Sequence, residues 1–98
     1  LFAKNLGANL SLDETAFSNG DLYTILTNKK AKGQKGVIIA MVKGTKAETV
    51  IKILHKIPVK HRKKVKEVTL DMAGNMGLIV RKSFPNATLV IDRFHVQN

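Results

Sequence analysis

The hydrophobic period of this chain changes once, near residue 44, and that change limits the folds open to it. Up to Val42 the apolar residues fall in short runs rich in β-formers and separated by turn signals. Leu10 and Leu12 alternate with polar Ser11, so Asn9 to Asp13 is predicted as a strand. Ser18-Asn19-Gly20-Asp21 is a turn sequence, and Leu22 to Thr27 reads as the returning strand of a hairpin. Asn28 to Gly36 is rich in Lys and Gly and is expected as an exposed turn before a third strand, Val37 to Val42. From there the spacing is helical. Ala47, Val50, Ile51, Leu54 and Ile57 form a stripe predicting a helix of about three turns, with Thr45 as N-cap and Glu48 completing a capping box. Pro58 ends it or follows its end.

Lys60 to Lys66 fits a short second helical turn, and Glu67 to Asp71 a fourth strand. Gly74 to Ser83 carries Met76, Ile79 and Val80 at helical spacing, weakened by Gly74 and Gly77. After a Pro85-Asn86 turn, the continuous apolar run Ala87 to Ile91 suits a strand covered on both faces. The expected order is β-β-β-α-β-α-β, an α/β class in which three antiparallel strands precede two right-handed strand–helix crossovers. No linker, repeat or low-complexity segment divides residues 1–98, so a single domain is expected. The first residue is Leu, which is expected of a piece of a longer protein.

Composition narrows the function. The chain has no Cys, which excludes a disulfide framework and thiolate metal ligation. Its longest apolar runs, such as Val37 to Val42, are about six residues against the roughly 18–20 that a bilayer span needs. No secretory signal pattern opens it. The net charge is +10, and it is segregated: residues 29–66 hold thirteen cations and one anion, Glu48, while the remainder holds four cations and six anions. A Lys field of that kind attracts a polyanion, and nucleic acid fits it better than acidic lipid because the belt spans turns and strands instead of one amphipathic helix. Lys29, Lys30, Lys32 and Lys35 in the basic turn are the candidate DNA contacts.

The carboxylates stand apart from that belt. Asp13, Asp71 and Asp92 are each expected at the C-terminal end of a strand, each after an apolar residue, 58 and 21 residues apart. If the three strands are neighbours, the carboxylates converge at the sheet edge where sites gather. Converging carboxylates need a cation, and hard oxygen donors select Mg²⁺ or Mn²⁺. Taken singly, each Asp also suits a helix N-cap or turn, Asp71 above all. Glu14 is expected to play a peripheral part. His55 and His61 lack an acidic partner at ligand spacing and read as surface groups. Ser11, Ser18 and Ser83 lack a nucleophile-elbow context, and Lys32-Gly33-Gln34-Lys35-Gly36 lacks the P-loop pattern. Phe17, Tyr23, Phe84 and Phe94 are too few for a base-stacking platform and are expected in the core.

In order, Leu12-Asp13-Glu14, Thr69-Leu70-Asp71-Met72, Phe84-Pro85-Asn86-Ala87 and Ile91-Asp92-Arg93-Phe94-His95-Val96 resemble the catalytic domain of bacterial insertion-sequence DDE transposases, in the subgroup with an Asp-Arg-Phe-His motif. The resemblance covers nearly the whole chain from Leu10 onward. It implies a ribonuclease H-like fold, truncated before its C-terminal helices, and metal-dependent DNA cleavage and strand transfer at transposon ends. It assigns Asp13 and Asp71 as catalytic ligands of Mg²⁺ or Mn²⁺, and Asp92 to the metal's vicinity or to a structural cap. Arg93 and His95 fall in the same element, with a DNA contact, an orienting role or packing all open to them. The family's third catalytic residue is a Glu on a later helix, and none of Glu14, Glu48 or Glu67 stands where it belongs. The resemblance thus implies a fragment inactive by itself. It further implies that the full-length protein is a DNA-bound homodimer or higher oligomer in the bacterial cytoplasm, associated with the nucleoid. The competing expectation is a basic α/β nucleic-acid-binding module without catalysis, its aspartates serving as caps.

Overall fold

A computed structural model describes residues 1–29, 38–70 and 76–91. The apolar runs form five strands: β1 (Asn9–Ala16), β2 (Leu22–Asn28), β3 (Ile38–Lys43), β4 (Glu67–Leu70) and β5 (Thr88–Ile91). Three helices join them: α1 (Ala47–Leu54), α2 (Val59–Arg62) and α3 (Met76–Ser83). A 3₁₀ turn, Ala3–Asn5, precedes β1. The strand order across the sheet is β3-β2-β1-β4-β5. β1, β2 and β3 pair antiparallel, whereas β4 runs parallel to both β1 and β5. This mixed sheet with its helices is compatible with the ribonuclease H-like fold that the resemblance implies.

The hairpin forms where the turn sequence predicts it. Gly20 takes φ 87°, a left-handed conformation open to glycine at little cost, and its N–H donates to the Phe17 carbonyl at 2.8 Å. The Asn19 side chain accepts from the Asp21 N–H at 3.0 Å and closes the turn from the other side. Near the sheet's other end, a Cβ on Gly7 would stand 2.6 Å from the Asn28 amide nitrogen. Its absence lets Asn28 donate to the Asn5 carbonyl at 3.0 Å, while Asn5 donates to the Ile38 carbonyl at 2.7 Å. Together these bonds tie the 3₁₀ turn to β2 and β3.

Alternation decides which side is buried. Leu10, Leu12, Leu26, Val42, Val68 and Leu70 face one side of the sheet and pack with Val50 and Leu54 of α1 and with Met76, Ile79 and Val80 of α3. Ile57, Val65 and Phe84 complete that core. The other face carries Ser11, Asp13, Ile25, Thr69 and Met41, none of them fully buried. Among the described residues no helix is long and apolar enough to cross a membrane.

Several sequence expectations are corrected. β1 runs on to Ala16 because Thr15 and Ala16 keep pairing with Tyr23 and Leu22, so Asp13 lies inside the strand. It does, however, immediately follow Leu12, which pairs with Leu70 of β4. The N-cap of α1 is Lys46, without a side-chain cap bond, so the Thr45 capping box does not form. Gly44 still belongs to the sheet, donating to the Leu22 carbonyl at 2.7 Å, and this delays the helix start. The helix spans eight residues, about two turns. β5 is not covered on both faces: it is an edge strand, with Ile91 45% exposed. Phe17 is exposed and stacks beside Tyr23, ring centroids 4.6 Å apart, at the hairpin end, while Phe84 is in the core as expected.

The crossovers are locked by two basic side chains. Arg62 is 7% exposed, its Nε donating to the Ile57 carbonyl at 2.9 Å and its Nη1 to the Ser83 carbonyl at 3.0 Å. His55 Nε2 lies 3.1 Å from the Lys82 carbonyl. The carbonyls of two helix C-terminal regions, each carrying partial negative charge, thus converge on one guanidinium. Arg62→Leu removes both charge-assisted bonds and strands two carbonyls, and is expected to lower stability by about 2–4 kcal/mol, read as the urea midpoint shift. Ser83 behaves oppositely. Its hydroxyl is buried without a hydrogen-bond partner among the described residues. Ser83→Ala keeps the carbonyl that Arg62 uses and is expected to leave the midpoint unchanged or raise it.

Candidate functional site

Parallel pairing brings three distant points of the chain into one row. Leu12 of β1 is the register partner of Leu70 of β4, and Leu70 is the partner of Ile91 of β5. Each of these residues immediately precedes one of the three aspartates, Asp13, Asp71 and Asp92. The three strands run through the row in the same direction.

Of the three aspartates, Asp13 is described. It is half-buried and lies on the face opposite Leu12, which is in the core. The Ser11 hydroxyl, two residues earlier on the same face, donates to Asp13 Oδ2 at 3.4 Å. Ile25 of β2 stands directly across from it in register. Asp13 therefore has an apolar neighbour on one side and the β4 strand end on the other. Asp71 and Asp92 lie outside the described residues, and among the described residues no three His, Cys, Asp or Glu side chains form a group fit for a metal.

The remaining carboxylates lie elsewhere. Glu14 is exposed and, by alternation, on the opposite face from Asp13. Glu48 is exposed on α1. Glu67 opens β4, three residues before Leu70, and pairs with Lys29, Oε1 to Nζ 3.9 Å.

Lys29 is the one sequence-predicted DNA contact among the described residues. From the end of β2 it reaches over β1, and its ammonium donates to the Thr69 hydroxyl at 3.1 Å. Thr69 is the register partner of Ser11, so Lys29 lies on the same face as Asp13, one pleat repeat (about 7 Å) back along the strands. Lys30, Lys32 and Lys35, together with Arg93 and His95, lie outside the described residues. The structure removes Arg62 from the basic belt, because its charge is spent inside the fold. No spacing signal marked it, since a lone Arg in a Lys-rich run looks like its neighbours. The belt's other cations among the described residues are exposed, and only Lys29 and Lys43 of them form ion pairs, the latter with Asp21 at 3.3 Å.

Comparison with known proteins bears on this arrangement. No curated protein matches the chain. A family model described as a transposase, that of the ISL3 group of DDE enzymes, matches residues 10–98. That span begins at the first buried leucine of β1 and takes in the whole row with the aspartates that follow it. The chain belongs to this transposase family.

Proposed function

We propose that the chain is part of the catalytic core of an insertion-sequence transposase of ribonuclease H-like fold. On this reading it carries two of the three acidic residues for phosphodiester cleavage and strand transfer at transposon ends. The observation that carries the reading is the Leu12–Leu70–Ile91 row, which gathers the residues before Asp13, Asp71 and Asp92 at one sheet edge.

The donor set fits a hard divalent cation. Carboxylates gathered at one strand edge repel one another until a cation neutralises them, and oxygen donors suit Mg²⁺ or Mn²⁺. Asp13 and Asp71 would hold the metal, with Asp92 beside them. When bound, a divalent ion activates a water or a 3′-hydroxyl and stabilises the leaving oxygen in phosphodiester displacement. The chain's own residues supply the rest. Ser11 donates to one Asp13 oxygen from the same face of β1 and helps to orient the carboxylate. Lys29 places a positive charge on the same face and offsets part of the repulsion between that edge and a phosphodiester. Lys30, Lys32 and Lys35 follow it in sequence and extend the field, while Arg93 and His95 follow Asp92 and are assigned to the DNA side of the site. The third carboxylate belongs to a part of the protein beyond these 98 residues. The full-length enzyme acts on DNA as a dimer or higher assembly.

Thermal melting during Mn²⁺ titration tests the metal site. At tenfold the dissociation constant, Mn²⁺ is expected to add about 1.4 kcal/mol of stability to the wild-type chain. Asp13→Asn/Asp71→Asn is expected to abolish that response, and an equal response in both proteins would favour a non-catalytic binding module. The chain by itself is expected to show no strand transfer on a supercoiled plasmid. Metal-dependent activity from the 98 residues would mean that the third carboxylate is already among them.

A further inference from the structure

The edge of the sheet opposite the aspartates carries a second feature. Between the 3₁₀ turn and α2 lies an open groove of about 500 Å³. It is lined by Leu6, Gly7 and Ala8 and by the side chains of Lys4, Lys64 and His61. The groove wall is anchored to the strands, since Lys66 and Glu67 both donate to the Ala8 carbonyl, at 2.8 and 3.0 Å. Lys60, Lys63 and Lys66 are exposed beside it on the same short stretch of chain. Among the described residues none of these lysines forms an ion pair. Arg62 faces inward and takes the one position of α2 that the core requires, so every other basic residue of the stretch is turned toward solvent.

We infer that this groove is a docking surface for the phosphate backbone of DNA, separate from the edge that carries the aspartates. The chemistry of the two matches. A DNA strand alternates anionic phosphates with apolar deoxyribose edges, and the groove combines lysines with apolar lining residues. The need for such a surface follows from the site: a row of carboxylates adds no affinity for a polyanion, so affinity must be supplied from elsewhere. Distance separates the two contacts. Ala8 immediately precedes β1 and is five residues before Asp13, at most about 17 Å at 3.3–3.4 Å per residue. One bound duplex would meet the groove within about five base pairs of the scissile phosphate, at 3.4 Å per pair. The inference rests on the proposal that DNA is the substrate, and adds to it where the flanking duplex lies.

The test is the salt dependence of binding to a random-sequence 20-base-pair duplex, read by fluorescence anisotropy. Each phosphate contact contributes about 0.9 to the slope of log K against log salt. Lys60→Gln/Lys63→Gln/Lys64→Gln is expected to reduce the slope by about 2 to 3, and Lys43→Gln/Lys46→Gln/Lys82→Gln, an equal charge loss elsewhere, by less than about 1. All six side chains are exposed, and urea midpoints check that both variants fold as the wild type does. A wild-type slope in the groove variant overturns the inference, as does an equal fall in both variants. Loss of binding to phosphatidylserine vesicles with the DNA slope unchanged overturns it in favour of a lipid surface. The Mn²⁺ response of the groove variant separates this from the catalytic reading, because that response depends on Asp13 and Asp71 and is expected to be unchanged.

Discussion

Parallel pairing of β4 between β1 and β5 is the constraint on which the rest of the molecule depends. A hairpin turn is enough to join antiparallel strands, but two parallel neighbours require a crossover long enough to return the chain to the starting edge. Here α1 with α2 makes the first return and α3 the second, and both must be covered by the same sheet face for the core to close. The row Leu12–Leu70–Ile91 is the product of those two returns. A one-residue slip of β4 would turn Val68 and Leu70 out of the core and bring Thr69 into it, so burial enforces the register. The same hydrophobic term that stabilises the fold therefore sets which residues follow each other at the acidic edge.

Arg62 links that packing to the chemistry. A guanidinium inside a core is costly unless its donors are used, and here two backbone carbonyls at the ends of successive crossovers accept from it. His55 makes a similar contact with the Lys82 carbonyl. The helices on the covered face are thus tied end to end beneath β4, the strand that leads into Asp71. A cation that looks in the sequence like the rest of the basic belt thus belongs to the scaffold.

Much of the fold was legible because period and turn chemistry agree. The Asn19-Gly20 turn, the five apolar runs and the change to helical spacing after Gly44 each reflect one local cause, and each is found where that cause places it. The errors have local causes too. Thr45 and Glu48 have the spacing of a capping box, but sheet hydrogen bonding at Gly44 outweighs it. The Ala87–Ile91 run has the composition of a buried central strand, yet strand order puts it at the edge, and strand order is a tertiary property that composition does not carry. Phe17 is apolar but belongs to a hairpin that extends past the core. At the site, the position of Asp13 relative to β4 follows from the expected crossover topology. The inward turn of Arg62 and the reach of Lys29 to Thr69 depend on side-chain packing between elements 21 and 40 residues apart, and no pattern in one dimension marks them.

On the proposed reading the two ends of the central strands differ in sign, and for a physical reason. Carboxylates gathered for a metal must be kept from neutralisation by nearby lysines, since an ammonium in contact would compete with the divalent ion for the same oxygens. Polyanion binding, by contrast, needs lysines free of carboxylates. On the proposed reading the two sets lie at opposite ends of the same strands, with Asp13 just after the Leu12–Leu70 pair and Lys64 beside Ala8. Among the described residues Asn9 to Leu12 pairs with Glu67 to Leu70, and that pairing separates the two ends. Lys29 pairs with Glu67 and donates to Thr69, and these two contacts fix its ammonium over β4. On the proposed reading the sheet acts as a spacer between the gripped backbone and the end of the strands where bonds would be broken.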